Sequence, residues 1–388
     1  MLEPQAIPCT LYIHLPWCVR KCPYCDFNSY EGAMPPQAQY VQALLADLES
    51  ELARAPERTI GSIFIGGGTP SLFSGAAIAE LLKGVRRRVV LAPDCEITIE
   101  ANPGVADEDR FRSYRDAGVN RLSIGVQSFN DRHLRALGRI HDGARALQAA
   151  RSARVAGFDS INLDLMYGLP GQDAPDFTQD LETALRVEPE HLSVYQLTIE
   201  EGTPFAHRPP SRPDDREIEA MECVLGDRLP AEGYLRYEIS AYARGSYRCR
   251  HNLNYWMFGD YIGIGAGAHG KISRKDGIFR HQKPRQPQAY LRGHGAWLPT
   301  RRLSEDEILF EFMLNLTRLP EGFPVSLFAE RTGQDPARLL SALGPACARG
   351  LAVIAGEGVR PSALGLQFLN DLQALFLPSP APCHVAGG

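Results

Sequence analysis

The sequence lacks any long hydrophobic run. Pro, Gly or a charged residue interrupts every apolar stretch before it reaches the roughly 18 residues that a membrane-spanning helix needs. It also lacks an excess of positive charge. Its 41 Lys and Arg stand against 46 Asp and Glu, a formal charge of -5, so no basic field is present to gather nucleic acid or anionic lipid. The opening stretch, MLEPQAIPCT, has neither the basic start nor the apolar core of a secretory signal, and a cytoplasmic protein is expected. Nor is there a disulfide framework: of nine cysteines, Cys9, Cys95, Cys223, Cys249, Cys347 and Cys383 are scattered singly. In a reducing compartment, a tight cluster among the remaining thiols is metal-binding or catalytic in character.

The composition, 44% hydrophobic and 22% charged over 388 residues, is that of a globular chain with a large core. Strand-like runs recur at 10–16, 62–68, 96–101, 121–127, 160–168 and 191–197, with helical periodicity between them. In QYVQALLADLESEL, for example, Tyr40, Val41, Leu44, Leu45, Leu48 and Leu52 form one stripe. Six such units predict a partial parallel (β/α)6 barrel spanning residues 1–240, with a doubly wound sheet as the alternative. Residues 241–300, which contain HNLNYW and a glycine-rich run, are expected to complete that core. Residues 301–378 read as a mostly helical, winged-helix-like domain. It opens on a capping box at Ser304 and Glu307, includes a hairpin turning at 356–358, and ends on one helix in GLQFLNDLQALFL. Residues 301–388 hold seven Lys and Arg against nine Asp and Glu, so a nucleic-acid surface is not expected. The tail, 379–388, is expected to be disordered.

Chemistry-bearing residues gather at the strand ends. CVRKCPYC places Cys18, Cys22 and Cys25 just after the first strand, among the aromatics Trp17, Tyr24 and Phe27. A structural zinc site wants four ligands, and a redox C-x-x-C would leave Cys18 without a role. A [4Fe–4S] cluster on three thiolates leaves one iron open to a ligand. Gly66, Gly67, Gly68 and Thr69 follow the second strand without the lysine of a P-loop; a tight turn or close backbone approach to a ligand both suit them. Glu100, Gln127 and Asp164 stand at or near later strand ends, and Arg139 could grip a carboxylate in a two-pronged contact. GAGAHG (265–270) satisfies G-x-G-x-x-G, yet no helical pattern follows it and Tyr290 stands near the expected acid, so a dinucleotide site is not implied.

The C-x3-C-x2-C spacing after the first strand resembles the radical S-adenosylmethionine (SAM) superfamily. YIHLPWCVRKCPYCDF, GGGTPS, IEANP, GVQSFN and NLDLMYGLPGQ resemble, in order, its oxygen-independent coproporphyrinogen III oxidase (HemN) group. The resemblance implies a [4Fe–4S] cluster on Cys18, Cys22 and Cys25. It further implies SAM on the open iron, held by Tyr12, Tyr24, Gly67, Gly68, Thr69, Glu100, Gln127, Arg139 and Asp164. The oxidases carry a further cysteine two residues past the third, where this chain has Phe27. HNLNYW resembles the H-N-x-x-Y-W motif of the non-oxidase branch, the heme chaperones. That implies heme bound by His251, Asn252, Tyr255 and Trp256 and passed to acceptor apo-hemoproteins, with peripheral membrane contact allowed. Neutral imidazole is an ordinary axial ligand of heme iron, but a histidine capping a turn beside core aromatics fits the hexapeptide too. His269 is the weaker candidate ligand, and Cys249 reads as a buried thiol. No C-x-x-C-H is present for covalent heme attachment. The alternative is a catalytic radical-SAM enzyme that abstracts hydrogen with a 5'-deoxyadenosyl radical.

Overall fold

The computed structural model describes residues 2–378 other than 33, 56–57 and 294–299; the tail expected to be disordered lies outside the described residues. Strand and helix alternate from the start. β1 (Cys9–Leu15) leads to α1 (Gln37–Leu52), β2 (Thr59–Gly67) to α2 (Gly75–Arg86) and β3 (Val90–Ala101) to α3 (Glu108–Ala117). β4 (Arg121–Gln127) leads to α4 (Asp131–Ala136) and α5 (Gly143–Val155), and β5 (Ile161–Tyr167) to α6 (Ala174–Leu185). β6 (His191–Gln196) is followed, after a short turn of helix, by α7 (Asp215–Ala231). Most of these helices begin where a short polar side chain accepts a free N–H of the first turn: Ser74, Asp107, Asn130, Asp142, Asp173 and Asp214. The apolar stripe of α1 is buried from Tyr40 to Leu48, as its spacing predicts.

The chain continues through β7 (Leu235–Glu238), β8 (Ala241–Ala243), α8 (Arg250–Trp256), β9 (Asp260–Ile264), β10 (His269–Arg274), β11 (Gly277–Gln282) and β12 (Arg301–Arg302). All twelve strands join one sheet in the order β12-β11-β10-β9-β1-β2-β3-β4-β5-β6-β8-β7. From β9 to β6 every pairing is parallel, and β8 turns back antiparallel on β6. The fold is therefore α/β with a mostly parallel sheet, and it holds a seventh parallel strand beyond the six legible in the sequence. That strand, β9, reads DYIGI and is buried throughout; its brevity and glycine-rich flank hide its pattern. Asp260 ties it to the residue before β2 and to β10 by accepting from Arg58 at 2.7 Å and Lys271 at 2.9 Å, all three side chains buried.

The C-terminal part packs about a second core built on Phe312, Phe328, Leu339 and Leu343, joined from the main body by Leu2, Ile7, Phe258 and Ile278. It comprises α9 (Glu305–Leu316), β13 (Phe323–Pro324), α10 (Ser326–Thr332), α11 (Pro336–Ala348) and the hairpin β14 (Ala352–Ala355) with β15 (Gly358–Pro361). Both halves of the capping box at Ser304 and Glu307 are made. The last helix is broken in two, α12 (Ala363–Gln367) and α13 (Leu369–Ala374), because Phe368 leaves helical geometry at φ -109° and ψ 51°. Periodicity alone gave no sign of that break.

Candidate functional site

The cysteine loop is held at both ends. Trp17 and Cys18 pair in parallel with Tyr30 and Glu31, and Lys21 stitches the loop by donating to the Phe27 carbonyl at 2.9 Å and the Ser29 carbonyl at 3.2 Å. Trp17 is buried edge-on against Tyr40, ring centroids 4.6 Å apart, so it anchors the loop rather than facing a ligand. Tyr24 packs toward Phe205, while Phe27 is 62% exposed. Cys18 is buried, Cys22 and Cys25 half-buried, and none forms a disulfide. The three thiols stand around one cavity of about 320 Å³. Burial raises the Cys18 and Cys25 thiols above their ordinary range; Thr69 and Ser29 oppose this at Cys18, as do the Phe27 backbone, Lys21 and Ser29 at Cys25.

The strand ends close the other side. At Gly68 a Cβ would lie 2.6 Å from the Trp17 carbonyl and 3.0 Å from Cys18 Sγ, so only glycine lets the loop after β2 approach the thiols. Glu100, ending β3, accepts from the Gly67 N–H at 3.1 Å. Burial, aggravated by nearby Asp164, raises its carboxyl to about 8, partly offset by the Gly67 N–H. Gln127, at the end of β4, adopts φ +68°, a left-handed conformation uncommon for residues with a side chain; Tyr195 holds its side chain by donating to Oε1 at 2.7 Å. Asp164 lies in the middle of β5 rather than at its end, where Asn162 donates to it at 2.7 Å and Ser123 at 3.3 Å. Burial raises its carboxyl also.

Arg139 reaches the Gly125 carbonyl at 2.7 Å and Cys22 Sγ at 3.8 Å, while its buried Nε has no partner among the described residues. Tyr24, Gly67, Gly68, Thr69, Glu100, Gln127, Arg139 and Asp164 thus border the same cavity as the thiols. Tyr12 does not. It faces a second cavity of about 550 Å³, which shares Phe27, Gly67 and Glu100 with the lining of the first.

The second cavity is bounded by Tyr12, His14, Tyr255, Tyr261, His269 and Arg285 among others. Of the motif HNLNYW on α8, only Tyr255 reaches it, its ring 4.2 Å from that of Tyr261. His251 is buried, 2% exposed. Its Nδ1 is 3.2 Å from the Ser62 hydroxyl, its Nε2 has no partner among the described residues, and the rings of Phe64, Tyr255 and Tyr12 surround it. Burial lowers its pKa to about 3. His251, expected as a heme ligand, lines neither cavity. Asn252 is half-buried outside both cavities, and Trp256 lies under the Arg318 guanidinium at 4.2 Å, facing the C-terminal part.

Sequence reasoning missed Tyr195, Tyr261, Arg285 and Asn28. Asn28 donates to the Ala266 and Arg285 carbonyls, both at 2.9 Å, tying the cysteine loop to the glycine-rich one. Its position three residues past Cys25 was the one available signal.

Residues 12–184 match the Radical SAM superfamily and residues 303–368 the HemN C-terminal domain. The chain is 49% identical over 374 residues to the heme chaperone HemW of Escherichia coli K12, covering 95% of this chain and 98% of that one. The chain belongs to the HemW family. Its likeness extends to the HemW of Bacillus subtilis, 34% identical over 88% of this chain and 90% of that one. The coproporphyrinogen III oxidase HemN of Escherichia coli, a radical SAM enzyme, superposes with a TM-score of 0.81 over 96% of this chain and 91% of that one. At 24% identity that likeness speaks for the fold alone. The superfamily implies a [4Fe–4S] cluster and SAM, and the first cavity suits both in kind: three thiol donors on one side, and on the other buried carboxyls with an unpartnered guanidinium N–H. Among the described residues no helix is long and apolar enough to cross a membrane.

Proposed function

We propose that this chain is a heme chaperone that binds heme and passes it to acceptor apo-hemoproteins, with a [4Fe–4S] cluster on Cys18, Cys22 and Cys25 and SAM on its open iron. One observation carries the reading: a thiol-lined cavity and an aromatic-lined cavity share a wall of Phe27, Gly67 and Glu100. The first has donors for the cluster and for a zwitterionic cofactor. When bound, that pair supplies one-electron chemistry at the SAM sulfonium. Arg139 offers a guanidinium N–H to a carboxylate, while Glu100 and Asp164 accept from an ammonium or hydroxyl groups. Tyr195 and the Gly67 N–H keep Gln127 and Glu100 in place.

The second cavity is within the usual size of ligand pockets and offers flat apolar surface with a polar rim. Exposed Phe27 adds an apolar face where the oxidase group has a fourth thiol. Tyr255 gives the HNxxYW motif a part in that wall, and Trp256, under Arg318, links the same helix to the C-terminal part.

The test is reconstitution without oxygen, followed by hemin titration and transfer to a heme-free globin. The reading predicts about four irons per chain, reduced to background in C18A, C22A and C25A. It also predicts a heme absorption band that moves to the globin on mixing. No heme binding, or binding without transfer, overturns the chaperone reading; full iron in any one cysteine variant overturns the ligand assignment.

A further inference from the structure

Two imidazoles border the second cavity, and they differ in what is left to them. His14 is committed at both nitrogens, to the Tyr12 hydroxyl at 3.0 Å and the Asn28 carbonyl at 2.8 Å, and is 6% exposed. His269 is exposed, and its ring makes no hydrogen bond to any described residue. It opens β10, where its backbone pairs with Gln282. Gly263 on the neighbouring strand makes room for it: a Cβ there would lie 1.9 Å from the His269 carbonyl. The ring therefore hangs from a strand held on both sides, a rigid support for a ligand.

Its surroundings favour the neutral ring. Partial desolvation against the surrounding loops, then Arg280, Arg285 and His281, lowers its pKa below the ordinary histidine value. A neutral imidazole is the form that binds iron. The same cavity is lined by Tyr12, Tyr255, Tyr261 and the exposed Phe27, with Arg285 adding positive charge. That combination suits a flat, apolar disc with anionic substituents and a metal centre.

We propose that heme seats in this second cavity with His269, rather than His251, as the protein ligand to its iron. His251 is then a positioning residue. Its ring backs Tyr255, centroids 5.1 Å apart at 60°, and Tyr12 at 6.2 Å, both of which face the cavity. The inference rests on the heme-carrying reading above and says which imidazole serves it.

The test is a hemin titration of the full chain with its cluster reconstituted, comparing wild type, H269A, H269M and H251A by absorption and electron paramagnetic resonance. Iron content and thermal melts establish that each variant is folded and loaded. H269A is expected to weaken hemin binding at least tenfold and lose the wild-type spin-state signature, with added imidazole restoring the signature. H269M is expected to bind with the changed spectrum of a thioether ligand. H251A is expected to keep the wild-type signature while losing affinity a fewfold. A folded H269A with wild-type spectrum and affinity overturns the inference, as does loss of the signature in H251A alone. A wild type that takes up no hemin refutes the heme-carrying reading itself, a result distinct from either.

Discussion

Lys283→Met is the perturbation whose effect the structure quantifies best. The Lys283 side chain is fully buried. It pairs with Asp47 and, at 2.5 Å, with Glu51; the Asp47 and Glu51 side chains, both on α1, are 0% and 1% exposed. Asp47 also accepts from the Tyr290 hydroxyl at 2.6 Å and the Gly265 N–H at 3.2 Å, so this group clamps the glycine-rich loop to α1. Methionine keeps the bulk and removes the charge, leaving Asp47 buried without a cation and Glu51 with only the His281 imidazole, 3.0 Å away. Breaking a buried pair on one side costs about 3–5 kcal/mol. With an unfolding entropy of ~2.1 cal/mol/K per residue over 388 residues, that corresponds to a fall in melting midpoint of roughly 4–6 °C.

The sign with pH is also set. Burial raises Asp47 from 3.8 to about 6, with Lys283 as the main opposing influence. A carboxyl whose folded pKa is raised stabilises most below its unfolded value, and that contribution is lost as pH climbs to the folded one. Without Lys283 the folded pKa rises further, so the loss extends to higher pH. The stability gap between wild type and variant, measured by urea unfolding, should be widest near pH 8 and narrow toward pH 5. A gap under about 1 kcal/mol at pH 8 would refute the reasoning, against the 3–5 kcal/mol expected for a broken buried pair. So would a gap that widens on acidification.

Gly267→Ala places a Cβ 2.2 Å from Asn28 Nδ2 at a backbone φ of +81°, so it should displace that amide and strain the loop together. Losing two hydrogen bonds and forcing a left-handed alanine should cost about 2–4 kcal/mol in urea unfolding; a cost below about 0.5 kcal/mol, within the range of neutral surface changes, would show that the tie is idle. Glu100→Gln removes a carboxyl raised from 4.5 to about 8, so the cluster-free variant should gain on wild type as pH rises through that window. The gain should reach a few kcal/mol, short of the ~5 kcal/mol of the whole shift because cavity water reaches the group. Parallel pH profiles of stability would sink that account.

Sequence alone determined the chemistry that depends on spacing along the chain. Three thiols within eight residues, the glycines after the second strand, and the polar residues near successive strand ends were legible because a parallel sheet delivers strand ends to one side. The alternating strands and helices followed from periodicity, and Ser304 with Glu307 from capping chemistry. Tertiary structure decided what depends on approach between distant segments. β9 became the seventh parallel strand because Asp260 meets Arg58 and Lys271, residues far from it in sequence or across a turn. Tyr12 went to the second cavity, though its neighbours in the expected SAM set went to the first, because a side chain's direction is fixed by its place in the pleat and by what packs beside it. His251 and His269, eighteen positions apart, looked unequal in sequence in favour of the first. Packing sets their surroundings apart: aromatic rings enclose His251, while His269 is exposed at the rim of the second cavity.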